Sequence, residues 1–561
     1  MIIQNLVEDF YRQLDLTKPV LILCGIDVDA MAATRILMAM FQADLIQYRL
    51  KPVNTRQALC QAIYDEKAKI EQFVLLNVGS TVEFFNVDPD GFEFTSEDQK
   101  PLFGDDDNLT FVFSDLSMSS RIFVHVAEDE IENIPLHEDV FSSDSEDESG
   151  DEDNLMERMA RRTEKAQRSE ARHARVAEYE EYTFCGPSTA ITVFDLAQKL
   201  SKDTIASLWW GIVGITDQYV SGRVRPEQYK TNVYKYMLHQ HTQRLQSKAD
   251  ANNRAQLLLE PLEDLQLPLY RHWNVSEALT HSLPVASAIK VWTGSGTRKI
   301  KELVAQIGLP LTQAGEKYHY MEERFKTDFP KQLEQKAPNF GIKNLKVTAF
   351  TAQRGFGYKY TAADTAIAIN ALLELTSGDD LVKNFEEALE ALRTEQPTMC
   401  RMQDGIELAK GQLRAILNTI NSQIETNNII NAGPFLYMNM KESPDNHMFA
   451  HPVSIRLLSA YLLHSFCRSQ PKQRREKIRA LPLVLAAPRG ETAPGKKLVC
   501  GCPPLGSTSN KNPFGKAFKE AGARSQARID YQFMDDSLLQ IDTDDFLKFM
   551  EALVVELSMN D

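Results

Sequence analysis

Two aspartates in "LILCGIDVDA" (21–30) stand one residue apart, directly after an apolar run. Three further positions share that placement: Asn77 after "QFVLL", Asp115 after "LTFVFS", and Asp217 in "GITD", after the helix-like "LWWGIVG". Carboxylates at 27/29, 115 and 217 that converge on one sheet edge would suit hard divalent cations such as Mn²⁺ or Mg²⁺. Two such ions held roughly 3.5–4 Å apart can drive phosphodiester hydrolysis. A strand-end aspartate also has a plainer use, because it accepts from the free N–H groups of the helix that follows. Taken singly, each of these acids reads first as a cap. Their shared location is what raises the metal reading.

Such placement requires strands that end side by side. "VLILCG" (20–25) is a continuous apolar strand, and "AMAATRILMAMFQ" (30–42) is helical in its apolar spacing. "DLIQYRL", "QFVLLN", "LTFVFS" and "RIFVHV" read as further strands, and "TRQALCQAIYDEKAKI" as a helix. Apolar strands separated by helices give β-α-β units and a mainly parallel sheet, whose ligand site lies beyond the carboxyl ends of the strands. The N-terminal "MIIQNLVEDFYRQLDL" reads as an amphipathic helix and has no signal-peptide pattern.

The chain divides by composition into an α/β part over 1–135, an acidic segment over 136–153, a charged exposed helix over 154–182, and a resumption of the α/β part over 183–250. A helical interaction insert over 255–395 and a C-terminal α/β part over 396–561 follow. Within the insert, 255–345 reads as all-helical with Pro-marked turns. The C-terminal part carries "GPFLYMNM", "LPLVLAA", "KKLVCGCP" and "RIDYQFM" as strands. The stretch "EDVFSSDSEDESGDED" holds nine acids and no base, over half of the net charge of −16. Ser143, Ser145 and Ser149 each have an acid three residues on, a pattern for an acid-directed kinase. A bare solvated spacer is the competing reading.

The remaining composition narrows the classes. A net charge of −16 argues against a non-specific DNA-coating protein. No apolar run is long enough for a membrane span. Seven cysteines are scattered, and Cys500 and Cys502 lack zinc spacing, so all read as buried thiols. Gly355 and Gly357 in "RGFGYKY" do not complete a dinucleotide loop, and no P-loop occurs. No cofactor is expected, and any ATP hydrolysis would belong to another subunit. Trp209, Trp210, Trp273 and Trp292 read as core, with a base-stacking platform as the alternative for the first two and an interface anchor for the last two. Lys472, Arg474 and Arg475 in "RSQPKQRREKIR" form a candidate nuclear-import cluster.

The order of these motifs resembles the DHH phosphoesterases, including RecJ-like exonucleases. "GIDVDAMAATRIL" resembles their first motif, "NVGS" the second, "SDLS" the third, and "CGPSTAITVFDLAQ…GITD" the fourth. "NPFGKAFKEAG" (512–522) stands where the DHH-associated domain carries its histidine-bearing loop. The departures are large. Asn77 replaces an acid, Asp115-Leu116-Ser117 replaces Asp-His-His, and Phe514 and Phe518 stand where the loop has no histidine left. The resemblance therefore implies a vestigial site at Asp27, Asp29, Asn77, Asp115 and Asp217, with no catalytic residue and no metal.

Together with "LWWGIVGITDQYV", "YRHWNVSEAL", "IGLPLTQ", "GIELAKGQLRAILNTI" and "FGKAFKEA", the acidic insert is similar to the cell division control protein 45 family. That resemblance implies a RecJ/DHH-like parallel-sheet domain with an all-α insert and a DHH-associated-type C-terminal α/β domain. It implies a nuclear, non-catalytic subunit of the CMG replicative helicase, acting in origin firing and fork progression. The partners implied are the minichromosome-maintenance hexamer, the GINS tetramer, initiation factors, replicative polymerases and single-stranded DNA, with no membrane. The alternative is an active RecJ-like, metal-dependent single-strand exonuclease.

Overall fold

"VLILCG" can pair on both edges and be covered on both faces because it has no polar side chain to satisfy. In the computed structural model it forms β1 (Val20–Gly25), buried at all six positions. The structure describes residues 5–8, 10–78, 110–114, 123–126, 186–224, 226–229, 232–247, 257–343, 345–354, 359–376, 380–393, 399–490, 493–506 and 512–559. The acidic segment with Ser143, Ser145 and Ser149, the charged helix over 154–182, Asp115 to Ser117, Gly355 and Gly357 lie outside the described residues.

β1 pairs in parallel with β2 (Tyr48–Val53) on one side and β3 (Gln72–Leu76) on the other, with Val20 opposite both Tyr48 and Gln72. β4 (Thr110–Ser114) adds in parallel to β3, and β5 (Phe123–Val126) closes the order β2-β1-β3-β4-β5 in antiparallel fashion. The strand order reverses between β1 and β3, which opens a crevice beyond their carboxyl ends. α1 (Val28–Ala43) and α2 (Arg56–Glu66) complete the crossovers, capped by Asp27 and Thr55. α3 (Thr189–Lys199) and α4 (Ile205–Val220) pack on α1. Leu208, Ile212 and Val213 of α4 are fully buried, and each contributes roughly 1.5–3 kcal/mol by leaving water.

The N-terminal stretch departs from the expected amphipathic helix. Its described residues carry a single 3₁₀ turn, Tyr11–Gln13, whose Tyr11 hydroxyl donates to Asp44 at 2.7 Å.

The reading of 255–345 as all-helical also needs correction. After α5 (Asn232–Ser247), that stretch opens with a nine-residue strand, β6 (Leu257–Leu265). It pairs antiparallel with β7 (Lys346–Arg354), which pairs with β8 (Lys359–Thr361). Burial alternates at Leu257 to Glu260, and Pro261 is tolerated because β6 is an edge strand with a free side. Pro261 would have broken a helix interior. The helices follow as α6 (Val275–His281), α7 (Leu283–Ile289), α8 (Gly294–Gln306), α9 (Leu311–Gly315) and α10 (Glu323–Lys336), around a core of their own. Trp273 and Trp292 are 5% and 8% exposed and pack in the main core. Trp209 is buried too, and the Trp210 indole donates to Leu392 O at 2.8 Å.

α11 (Ala362–Leu375), α12 (Leu381–Ala391) and α13 (Met399–Glu425) lead to the second large sheet. It contains β9 (Ile430–Asn431), β10 (Leu436–Asn439), β11 (Leu483–Pro488), β12 (Lys496–Cys502), β13 (Ile529–Asp530) and β14 (Leu538–Asp542). The order is β13-β14-β12-β11-β10-β9. Leu483, Leu485 and Ala487 face α14 (Pro452–Ser469), whereas Val484 and Ala486 face α16 (Phe514–Ser525) and α17 (Phe546–Met559). α15 (Lys472–Ala480) crosses the end of α14. The strand expected from "RIDYQFM" is cut to two residues, because the chain then leaves the sheet. Phe533 forms a bridge with Thr55, the Arg56 N–H donates to Gln532 O at 2.9 Å, and Arg56 pairs with Asp536. This strap ties the second sheet to the start of α2.

No helix among the described residues is long and apolar enough to cross a membrane.

Candidate functional site

The crevice at the ends of β1 and β3 brings four of the five sequence-predicted positions together. Asp27 is the N-cap of α1, and its Oδ1 accepts from the Ala30 N–H at 2.8 Å. The same oxygen accepts from the Asn77 amide at 3.0 Å. Asn77 sits in the left-handed region at φ 57°, which asparagine tolerates better than most residues, and its carbonyl accepts from the Thr189 hydroxyl. The neutral amide thus links the cap of α1 to the first residue of α3.

Asp29 points elsewhere. It is 0% exposed and turned toward the start of α3, where its carboxylate accepts from the Ser188 hydroxyl, Thr189 N–H at 2.9 Å and Ala190 N–H at 3.1 Å. Gln218 adds a longer contact at 3.4 Å. A buried anion on free N–H groups also meets the positive end of the helix dipole. Burial and the charge of Asp27 nevertheless push the Asp29 carboxyl up to about 6, against those hydrogen bonds.

Asp217 was expected just after a helix. It lies inside α4, because "ITDQYV" continues that helix to Val220. Its carboxylate is 1% exposed and accepts from the Asn370 amide of α11 at 2.6 Å. Burial pushes it up to about 7; Arg223 opposes the rise, and Asp27 and Asp29 add to it. Asp115 lies outside the described residues, so its place relative to these three is not part of the site as seen. Among the described residues, no group of three His, Cys, Asp or Glu side chains is arranged to hold a metal ion.

Sequence reasoning missed the side chains that receive these acids: Ser188, Thr189, Gln218 and Asn370. It also missed Gly214, where an added Cβ would lie 2.5 Å from Asp29 Oδ1 and 2.6 Å from the Ala190 Cβ. Only glycine lets α4 approach so closely. The serine before an apolar run in "GPSTAIT" is an N-cap signal that could have found Ser188.

The crevice opens into a cavity of about 1170 Å³ between the two large sheets, with Asp27 and Asn77 in one wall and Arg456, Lys519 and Asp535 in another. Arg456 pairs with Asp535, and Lys519 stands 3.8 Å from Asp536. Burial alone would raise the Asp535 carboxyl, but Arg456 and the hydroxyl and N–H of Ser537 outweigh it and hold it at about 2. Phe514 and Phe518, on α16 where the resemblance put a histidine-bearing loop, are fully buried against each other, with ring centroids 5.1 Å apart.

A family model described as CDC45 matches residues 20–154 and 124–556. The chain is 33% identical over 582 residues to the human cell division control protein 45 homolog, covering 100% of both chains. It is 23% identical to the homolog of Schizosaccharomyces pombe, covering 94% of each. The crystal structure of CDC45 from Entamoeba histolytica superposes with a TM-score of 0.66 at 19% identity, over 97% of this chain and 96% of that one. The matched residues run through both large sheets and the helices between them, so the chain belongs to the CDC45 family.

Proposed function

We propose that this chain is a non-catalytic subunit of the CMG replicative helicase, working in the nucleus in origin firing and fork progression. In this reading it bridges the minichromosome-maintenance hexamer and the GINS tetramer, with the helical insert over 255–395 as a docking surface. Initiation factors and replicative polymerases are further partners. Single-stranded DNA and origin chromatin are contacted from within the complex.

Family membership supports the replication role. The observation that carries the non-catalytic half is the amide of Asn77 on Asp27. A two-dication phosphoesterase site needs carboxylates that face the metals. Here Asp27 is spent on Ala30 and Asn77, and Asp29 on the start of α3. Both acids act as acceptors for the backbone and for neutral side chains.

The test has two arms. In the first, unwinding by the minichromosome-maintenance hexamer and GINS is measured with and without this chain. Unwinding should depend on the chain and survive Asp27→Ala, apart from a modest stability loss. In the second, the purified chain is assayed for cleavage of single-stranded DNA with Mn²⁺ and with Mg²⁺, beside an Asp27→Ala/Asp115→Ala control. Cleavage that disappears in the control would overturn the non-catalytic reading.

A further inference from the structure

The cluster Lys472, Arg474 and Arg475 is folded into α15, and one of its members is already engaged. The Arg475 guanidinium donates to Gln470 O at 3.0 Å and to Arg468 O at 3.3 Å, which satisfies open carbonyls at the end of α14. That pins α15 across the helix end and leaves Lys472, Arg474, Lys477 and Arg479 exposed. Glu476 is the single acid on α15.

Two other elements adjoin the flank of α15 that carries Lys472, Arg475 and Arg479. α7 packs along α14 and ends at Lys290, a C-cap in the left-handed region at φ 62°. Burial, and then the nearby charges of Arg475 and Lys299, lower the Lys290 ammonium. Burial, and then Arg468 and Arg479, push His464 down to about 4. Cations from three elements therefore crowd one surface.

Among the described residues none of these exposed cations makes an ion pair. Elsewhere the chain meets its cations: Arg271 with Asp264, Arg56 with Asp536, Lys202 with Asp44, Arg524 with Glu556. What sets this face apart is the density of the cations: five fall within the nine residues of α15, with Lys290 and Arg468 beside them. Like charges held together in the folded state cost stability, and an added polyanion relieves that cost.

The form of the face selects the polyanion. α15 has nine residues and is about 13 Å long. A long nucleic acid that covers it runs on over a protein of net charge −16, where its phosphates are repelled. Sequence-tolerant single-strand sites also pair cations with aromatic platforms. Phe466, the aromatic nearest to α15 in sequence, packs against the core instead. A short extended peptide, at about 3.3 Å per residue, covers the face within about six residues and stops there.

The geometry points to a docking site for a short acidic segment of a protein partner, on the face formed by α15, Lys290 and Arg468. The segment's carboxylates take the place of the missing counter-charges. Arg479 and His464 reach the cavity wall, but Lys472, Arg474, Lys477, Lys290 and Arg468 do not line it, and the acid cluster lies elsewhere, so the site can hold or fail independently of the helicase reading.

The experiment uses the full chain and two labelled probes, read by fluorescence anisotropy at physiological ionic strength. One is an Asp/Glu-rich peptide of about eight residues, and the other an oligo-dT strand. Lys472→Glu/Arg479→Glu, on the flank of α15 beside Arg475, and, separately, Lys290→Glu/Arg468→Glu should each weaken the peptide about tenfold or more. Lys331→Glu, an exposed reversal on α10, should leave it unchanged. Circular dichroism and thermal unfolding check that each variant is folded. The proposal is overturned by peptide binding that is absent, or lowered equally by Lys331→Glu. It is equally overturned if the reversals weaken the oligonucleotide and spare the peptide, because the partner is then a nucleic acid.

Discussion

The acids near the ends of the first sheet and the acid of the second sheet's strap behave in opposite ways. Asp29 and Asp217, on the side of the first sheet, are held by N–H groups, hydroxyls and amides, and burial drives them up to about 6 and about 7. Asp535, on the side of the second sheet, has Arg456 against it and is held at about 2. Burial acts on both sides, so burial alone does not decide the sign. A guanidinium in contact does, because it favours the charged form more than the lost water disfavours it.

The largest expected break in this contrast is Asp29→Ala. It strips Ser188, Thr189 and Ala190 of their common acceptor in a site with no water access. The loss should be on the order of 3 kcal/mol by chemical denaturation. A loss under a third of that would mean the carboxylate is not what closes the start of α3. Gly214→Ala attacks the same point from α4 and should cost about 2 kcal/mol, since neither Asp29 nor Ala190 has room to retreat.

Across the cavity, Arg456→Met leaves Asp535 without its cation. The Asp535 side chain keeps 33% of its surface exposed, so screening trims the cost to about 1–2 kcal/mol. The pH dependence should then separate the two sides. Asp29 and Asp217 hold protons in the folded state that the unfolded chain has released. Their contribution is therefore full below the ordinary 3.8 and is lost as pH rises through about 6 and about 7. Asp535 runs the other way: its contribution is full above 3.8 and is lost as pH falls toward about 2. Asp217→Asn should flatten the loss on the neutral side, gaining on the order of 1 kcal/mol near pH 7. Arg456→Met should flatten only the acid side. Equal pH profiles in the two variants would erase the contrast.

The smallest effect sharpens the comparison at the strap. A double-mutant cycle on Arg56 and Asp536, which join the two sheets, should give a coupling of about 0.5–1 kcal/mol. A value near zero would leave the Thr55–Phe533 bridge and the packing of Met534 as the ties across the cavity.

Much of the first sheet was legible because its signals are local. A continuous apolar run, an Asp-x-Asp after it and a helical spacing beyond are all written within a few residues, and Asp27 does cap α1. Strand β6 was not legible as such. Its leucines fit two periods at once, and Pro261 was the signal against a helix. The final strand β14 was overlooked beside the longer "RIDYQFM", most of which leaves its sheet to reach α2. Asp217 was misplaced because the helix was ended at "LWWGIVG", whereas α4 continues to Val220.

The sequence by itself determined the strands and helices of the first sheet, the placing of Asp27 and Asn77 at strand ends, and the family. It also held the substitution that matters most at the crevice, Asn77, in plain view. Tertiary structure alone decided what those acids do. Asp29 meets residues 159 to 161 positions away, and Asp217 meets Asn370, 153 positions away. No local pattern records such partners, because a carboxylate's charge and role depend on which donors the folded chain brings to it.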